Sequence, residues 1–279
     1  MRALGAISLG VRFVMGATLG TALGVVFFFV ALARAARPIH AEGVLCTGEL
    51  LPRDPELGAR LAGPVLVRFS GAFADQRGQK ADVLGLLLRL RQREHADSVD
   101  PRQGDQDLLL GSFESFLTAA RDRAATDVAD YLANHYSTVA PWWLPGRGAA
   151  TLRLTRLPSV TDVSSDTRPS GPGAAPSVAA AEPAAAEPPP RSTLGSRIDR
   201  LDAALASDRA RLLLVADLDG TARVELAELR LLARVELQDH TMQASMFNCG
   251  RGVRPVGFRN GLRATLYPMS QFGRLLRGR

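Results

Sequence analysis

The chain has 279 residues and a net charge of +6, and because Lys80 is its only lysine the positive charge is almost wholly arginine. Those arginines are scattered through apolar runs, loops and both ends, with no stripe of interleaved aromatics, which argues against a nucleic-acid partner. No Walker motif, GxGxxG turn or GxSxG elbow occurs, which excludes the usual nucleotide-driven and serine-hydrolase chemistries.

Residues 13–33 carry no charge. At roughly 1.5 Å per helical residue they cover about 30 Å of hydrocarbon, which predicts a transmembrane helix within residues 1–36 and a single-pass protein of a bacterial cell membrane. Arg2 and Arg12 ahead of the run, with Ala31 and Ala33 at its end, also fit a secretory signal, but the apolar run is long for a signal core. Arginines flank both ends, so charge bias leaves the side of the soluble part open. Gly16, Gly20 and Gly24 recur every four residues, a spacing that permits close helix packing and allows a homo-oligomer.

Beyond the anchor, residues 43–50 and 64–70 read as short strands between prolines and glycines, and Leu84 to Leu90 as a buried strand. Asp105 and Asp107 precede the apolar Leu108–Leu110; exposed turn carboxylates are the preferred reading over a hydrolytic pair. From Ser112 to Tyr136 the spacing of Phe113, Phe116, Leu117, Val128, Tyr131 and Leu132 by threes and fours predicts a helix, ending at Asn134-His135-Tyr136. His135 reads as a polar residue at that helix end. Residues 151–157 alternate as a half-exposed strand.

Residues 158–192 are dominated by Pro, Ala, Ser and Glu and cannot bury enough apolar area to offset their ordering entropy. They read as a disordered insert within one fold, residues 37–157 supplying its first part and residues 193–279 its second; a linker between two domains is the competing reading. In the second part, Ile198–Leu205 predicts a short helix, residues 212–217 and 224–232 strands, and the arginine-rich end a helix. Asp217-Leu218-Asp219-Gly220 lacks the later ligands of a calcium loop and reads as a turn between strands. Cys46 and Cys249, without metal-ligand spacing, read as buried small residues; a disulfide between them would require export.

Two short motifs follow the anchor, Arg37-Pro-Ile-His40-Ala-Glu-Gly43 and Val67-Arg68-Phe69-Ser70, and a third, Arg263-Ala-Thr-Leu-Tyr267, lies near the end. Together they resemble the haem pocket of the catalase superfamily, and the stretch Arg254-Pro255-Val256-Gly257-Phe258-Arg259-Asn260 is similar to small bacterial relatives of catalase. The resemblance implies an α+β fold, a catalase-like antiparallel β-barrel with flanking helices, preceded by the transmembrane helix. It implies haem b as cofactor, His40 as distal acid/base, Ser70 as the group orienting it, Arg37 and Arg68 as propionate partners, and Tyr267 as the iron ligand assisted by Arg263.

Chemistry supports such a set: a neutral imidazole can take and return a peroxide proton only if its ring is held. Arg263, four residues before Tyr267 on one helical face, would favour the phenolate. Where the family carries a distal asparagine, however, this chain reads Gly111-Ser112-Phe113. Fast disproportionation of hydrogen peroxide is therefore not expected. The implied activity is peroxidase-type, on organic or lipid hydroperoxides, since His40 follows the membrane run so closely. The alternative is a haem-free pseudoenzyme acting as a membrane-bound binding or scaffold protein.

Overall fold

The computed structural model describes residues 2–34, 40, 43–72, 81–93, 99–115, 118–157, 196–218, 222–236 and 242–276. Arg37, the 158–192 insert, the Asp219-Gly220 turn, and Phe116 and Leu117 lie outside the described residues.

Short alternating segments pair in chain order and close on themselves. The strands are β1 (Gly43–Pro52), β2 (Gly63–Gly71), β3 (Leu84–Leu90), β4 (Gln106–Gly111), β5 (Tyr136–Ser137), β6 (Trp142–Leu144), β7 (Gly148–Arg156), β8 (Arg211–Leu218), β9 (Ala222–Val235) and β10 (Arg254–Pro255). Antiparallel pairing runs β1-β2-β3-β4-β5-β7-β8-β9, and β9 returns to β1, giving a closed eight-stranded barrel with β6 and β10 added at one margin. Strands β7 and β8, on either side of the insert, pair directly in register from Ala150↔Leu218 to Arg156↔Leu212. The ring closes through every neighbouring pair, the β4–β5 contact being the single pair Gly111↔Ser137, so most strand backbone groups find partners within it.

The interior is filled by one face of each strand. Val67, Phe69, Leu84, Leu86, Leu88, Leu108, Leu152, Leu154, Leu212 and Leu214 are all buried there. Phe69 lies 5.0 Å from the ring of Tyr131 and 6.2 Å from that of Tyr136. All seven residues of β3 are buried, because its outer face is covered as well: Leu87 packs with Leu45, Leu66 and Met242 in a second apolar cluster. The helices are α1 (Arg2–Arg34), α2 (Leu57–Leu61), α3 (Ala119–Ala125), α4 (Arg197–Ala206) and α5 (Phe258–Leu275). Helix α4 starts at a capping box in which Ser196 and Asp199 each satisfy the other's backbone N–H. Within α1, Ile7–Ala33 is long and apolar enough to cross a membrane, with a mean hydropathy of 2.1; a signal sequence near an N-terminus meets the same criterion.

Two expectations are corrected. The predicted helix over Ser112–Tyr136 shrinks to α3, because the segment after it folds as side-chain-capped turns. Asp127 and Asp130 accept from the N–H groups of Ala129 and Leu132, and the Asn134 amide bonds Asp127 N, Asp127 O and Asp130 O. Such bonds give the backbone an alternative to a helical ladder, and Tyr131 and Tyr136 are buried in the core from these turns. Asp105 and Asp107 are not exposed turn carboxylates: both are buried, Asp107 in a two-point pair with Arg89 (2.7 and 2.8 Å) and Asp105 3.7 Å from Arg91. Cys46 and Cys249 are free thiols, Cys46 fully buried in β1.

Candidate functional site

Strand alternation decides which β2 side chains leave the core. With Val67 and Phe69 inward, Arg68 and Ser70 turn to the outer face. The register then aligns a row of small residues across five strands: Gly43 opposite Ser70, Ser70 opposite Gly85, Gly85 opposite Gly111, and Gly111 opposite Ser137. That row leaves a recess on the barrel wall. A cavity of about 210 Å³ opens between this wall and α5, bounded by His40, Arg68, Ser70, Gly85 and Gly111 on the barrel side. Arg263, Leu266, Tyr267 and Ser270 of α5 bound it on the other, with Phe27 of α1 and Met242 also in its lining.

His40 is held at three points. Its Nδ1 lies 3.0 Å from the Ser70 hydroxyl, its carbonyl oxygen accepts from Arg68 Nη2 at 2.9 Å, and its N–H donates to Ala72 O at 3.3 Å. The Ser70 hydroxyl donates to Gly85 O at 3.4 Å. Ser70 Oγ can accept from Nδ1–H, the tautomer that leaves Nε2 as the basic nitrogen of the ring. The backbone of His40 is left-handed, φ +57°. A non-glycine residue persists there only where its surroundings impose it, and such residues cluster at sites of function.

Gly85 was not among the residues singled out from sequence, yet it admits His40. A Cβ at this position would lie 2.7 Å from His40 Cε1, 2.9 Å from Nδ1 and 3.0 Å from Ser70 Oγ. Gly43 does the same for Arg68, whose guanidinium carbon would be 2.9 Å from an added Cβ, and Gly111 for the ring of Phe113, at 2.6 Å. The available signal was glycine inside an apolar strand, which marks a close approach. Phe113 itself fills cavity space. The neighbouring Ser112 faces elsewhere, its hydroxyl accepting from Leu84 N at 2.9 Å.

On the opposite wall Tyr267 is partly buried at the cavity, one turn after Arg263. The Arg263 guanidinium donates to Thr138 O at 3.0 Å rather than to the tyrosine oxygen. Gln271 ties α5 to the cavity rim through a 2.7 Å bond to Ala244 O. Thus His40, Ser70, Arg68, Arg263 and Tyr267, from three distant parts of the sequence, border one cavity. His135 is exposed and away from it. Among the described residues no cluster of three His, Cys, Asp or Glu side chains could hold a metal ion.

No family model matches the sequence, and neither does any curated protein. Among solved structures the chain is similar to a fungal catalase, at 13% identity and a TM-score of 0.52, over 86% of this chain and 60% of that one. A bacterial catalase gives 12% identity and a TM-score of 0.52, over 86% of this chain and 57% of the other. The chain therefore spans less than two thirds of the length of these catalases. The fold is a catalase-like barrel.

Proposed function

We propose that the protein is a catalase-related haem protein, anchored to a membrane by α1, with peroxidase-type activity on organic or lipid hydroperoxides. The observation that carries this reading is the meeting of an acid/base histidine, its serine partner, two arginines and a tyrosine on one cavity of a catalase-like barrel. By donor chemistry, Tyr267 would be the oxygen ligand for iron, and Arg68 and Arg263 would supply cations for the propionates. Bound haem would supply the iron that takes up and splits a peroxide. His40 would take the proton from the peroxide at Nε2 and return it to the departing oxygen, with Ser70 keeping Nδ1 protonated. Arg68, by holding the His40 carbonyl, keeps that ring over the recess. The apolar remainder of the lining, including Phe27, Leu87, Leu109 and Met242, suits an alkyl chain better than a small polar peroxide.

One observation favours the second reading, a haem-free relative that binds an apolar ligand. The open volume of about 210 Å³ is below the about 300–1,000 Å³ of pockets for larger ligands, and Phe113 occupies part of the recess. A spectrum separates the two. Full-length protein in detergent, mixed with haem and desalted, is expected to show a Soret band that Tyr267→Phe shifts or abolishes. A preparation with no Soret band after reconstitution refutes the haem reading.

A further inference from the structure

Helices α1 and α5 run in the same direction and pack along their length. Gly16 sits over Phe258 and Leu262, Gly20 over Leu262 and Thr265, Gly24 over Leu266 and Met269, and Gly273 over Phe28. The seam is backbone-close from both sides: an added Cβ on Gly16 would come 1.9 Å from the Phe258 carbonyl oxygen, and one on Gly261 would come 1.9 Å from that of Phe13. Thr265 donates across it to Ala17 O at 3.0 Å, and Phe28 stacks on Phe272. The glycine face of α1 is thus occupied within the chain.

What the two helices leave outside is apolar. The exposed side chains among the described residues of α5 are Phe258, Pro268 and Phe272, and the exposed Leu276 follows directly after it. Three of its polar side chains turn inward: Arg259 bonds Val139 O, Asn260 bonds Pro141 O, and Gln271 bonds Ala244 O. Helix α1 exposes Val14, Met15, Leu19, Leu23, Val26 and Phe29, each more than two fifths open. Its Thr18 and Thr21 hydroxyls are bonded back to the carbonyls of Val14 and Ala17, so neither needs water. Among the described exposed positions of the two helices, charge lies at the margins. Arg12 is exposed at one end of the uncharged run, Arg34 closes the other, and Arg254 is exposed ahead of α5.

We propose that α1 and α5 form a single membrane-facing layer, so that the barrel lies flat against the bilayer with both helices in the interface instead of hanging from a helix that crosses it. A contiguous exposed face of large apolar side chains marks a contact surface for lipid or protein. Flanking arginines suit anionic headgroups, and an interfacial helix buries its apolar side while its ends stay at headgroup level. Because Phe27 of α1 and Leu266 and Tyr267 of α5 also line the cavity, this seating places the cavity directly beneath the lipid and lets an alkyl-bearing ligand reach it from the bilayer. The ligand route rests on the function proposed above; the seating does not.

The test uses full-length protein in a Cys249→Ser background, Cys46 being buried, added from detergent to preformed phosphatidylcholine–phosphatidylglycerol vesicles. Gly10→Cys and Ala33→Cys place thiols at the two ends of the uncharged run of α1, at exposed positions. A membrane-impermeant maleimide is expected to label both from outside intact vesicles, at rates within about threefold of each other, as befits two ends at one headgroup level. Labelling of one end only after vesicle rupture means that α1 crosses the bilayer and overturns the proposal. A bimane on Leu276→Cys is expected to lose about half its fluorescence to lipids with brominated chains; no loss removes α5 from the layer and also overturns it. Protein that stays in the supernatant as a dimer assigns the face to a second copy instead, a third refuting result. None of these outcomes depends on haem, so a missing Soret band and a failed seating are separate findings.

Discussion

The smallest residue at the site controls the most exacting placement. His40 stands in a left-handed backbone conformation with its ring laid over Gly85, closer than any Cβ would allow. Gly85→Ala forces the ring or the Ser70 hydroxyl to move, whereas β3 itself, paired on both sides and apolar throughout, tolerates alanine. The variant is expected to keep a free energy of unfolding within about 1 kcal/mol of the parent, since alanine suits a strand at least as well as glycine. It should also lose about 10- to 100-fold in peroxidase rate, the range seen when an outer-shell partner is disturbed. Crystallography or histidine NMR of the haem-free protein supplies the direct check: an unmoved His40 ring with unchanged Nδ1 hydrogen bonding contradicts the account. His40 and Ser70 stand out in the sequence because they lie in two short motifs that resemble the catalase family. Gly85 was hidden because a glycine's role depends on what lies opposite it, and that is fixed only by the β2–β3 register.

Between elements, the buried pair Arg89–Asp107 joins the barrel wall to the segment that follows β9. Asp107 accepts from Arg89 at 2.7 and 2.8 Å, from Ser245 N at 2.8 Å and from Asn248 at 3.2 Å, while Arg89 also donates to the carbonyls of Val99 and Gln243. Asp107→Ala leaves a guanidinium with no counter-charge at a site closed to solvent, which typically destabilises by about 3–5 kcal/mol. Urea unfolding should show a loss of that order, together with new proteolytic cleavage within residues 242–250. The double variant Arg89→Met/Asp107→Leu removes both charges and should recover most of the loss; a double variant no better than the single one would mean that packing, not the unpaired charge, dominates. The strands themselves were legible in the sequence, β3 with its bounds unchanged, because period-two and all-apolar runs are local signals. The 126–135 turns and these buried carboxylates were not, since an aspartate's partners and burial are set by chain segments more than a hundred residues away.

At the scale of the whole molecule, a group buried in a strand paired on both sides of the closed ring meets water only when that pairing opens. Cys46 lies in β1 between β2 and β9, and burial, aided by Asp202 and opposed by Arg234, pushes its thiol up to about 12 from an ordinary value of 9.0. The unfolded chain therefore releases this proton about three pH units before the native one does. Below pH about 9 both states hold the proton and the contribution to stability is fully present; between about 9 and 12 only the native state holds it, and stability falls by about 1.4 kcal/mol per pH unit. The buried Tyr136 hydroxyl, also raised by burial, adds a second loss that begins near pH 10. Cys46→Ala should be slightly less stable than the parent at pH 8, through a small packing defect, but should lose stability less steeply between pH 8 and 10. Urea midpoints measured across that range are expected to converge. Parallel curves would show that the Cys46 thiol ionises in the native barrel as readily as in the unfolded chain, and that the strand pairing around β1 admits solvent.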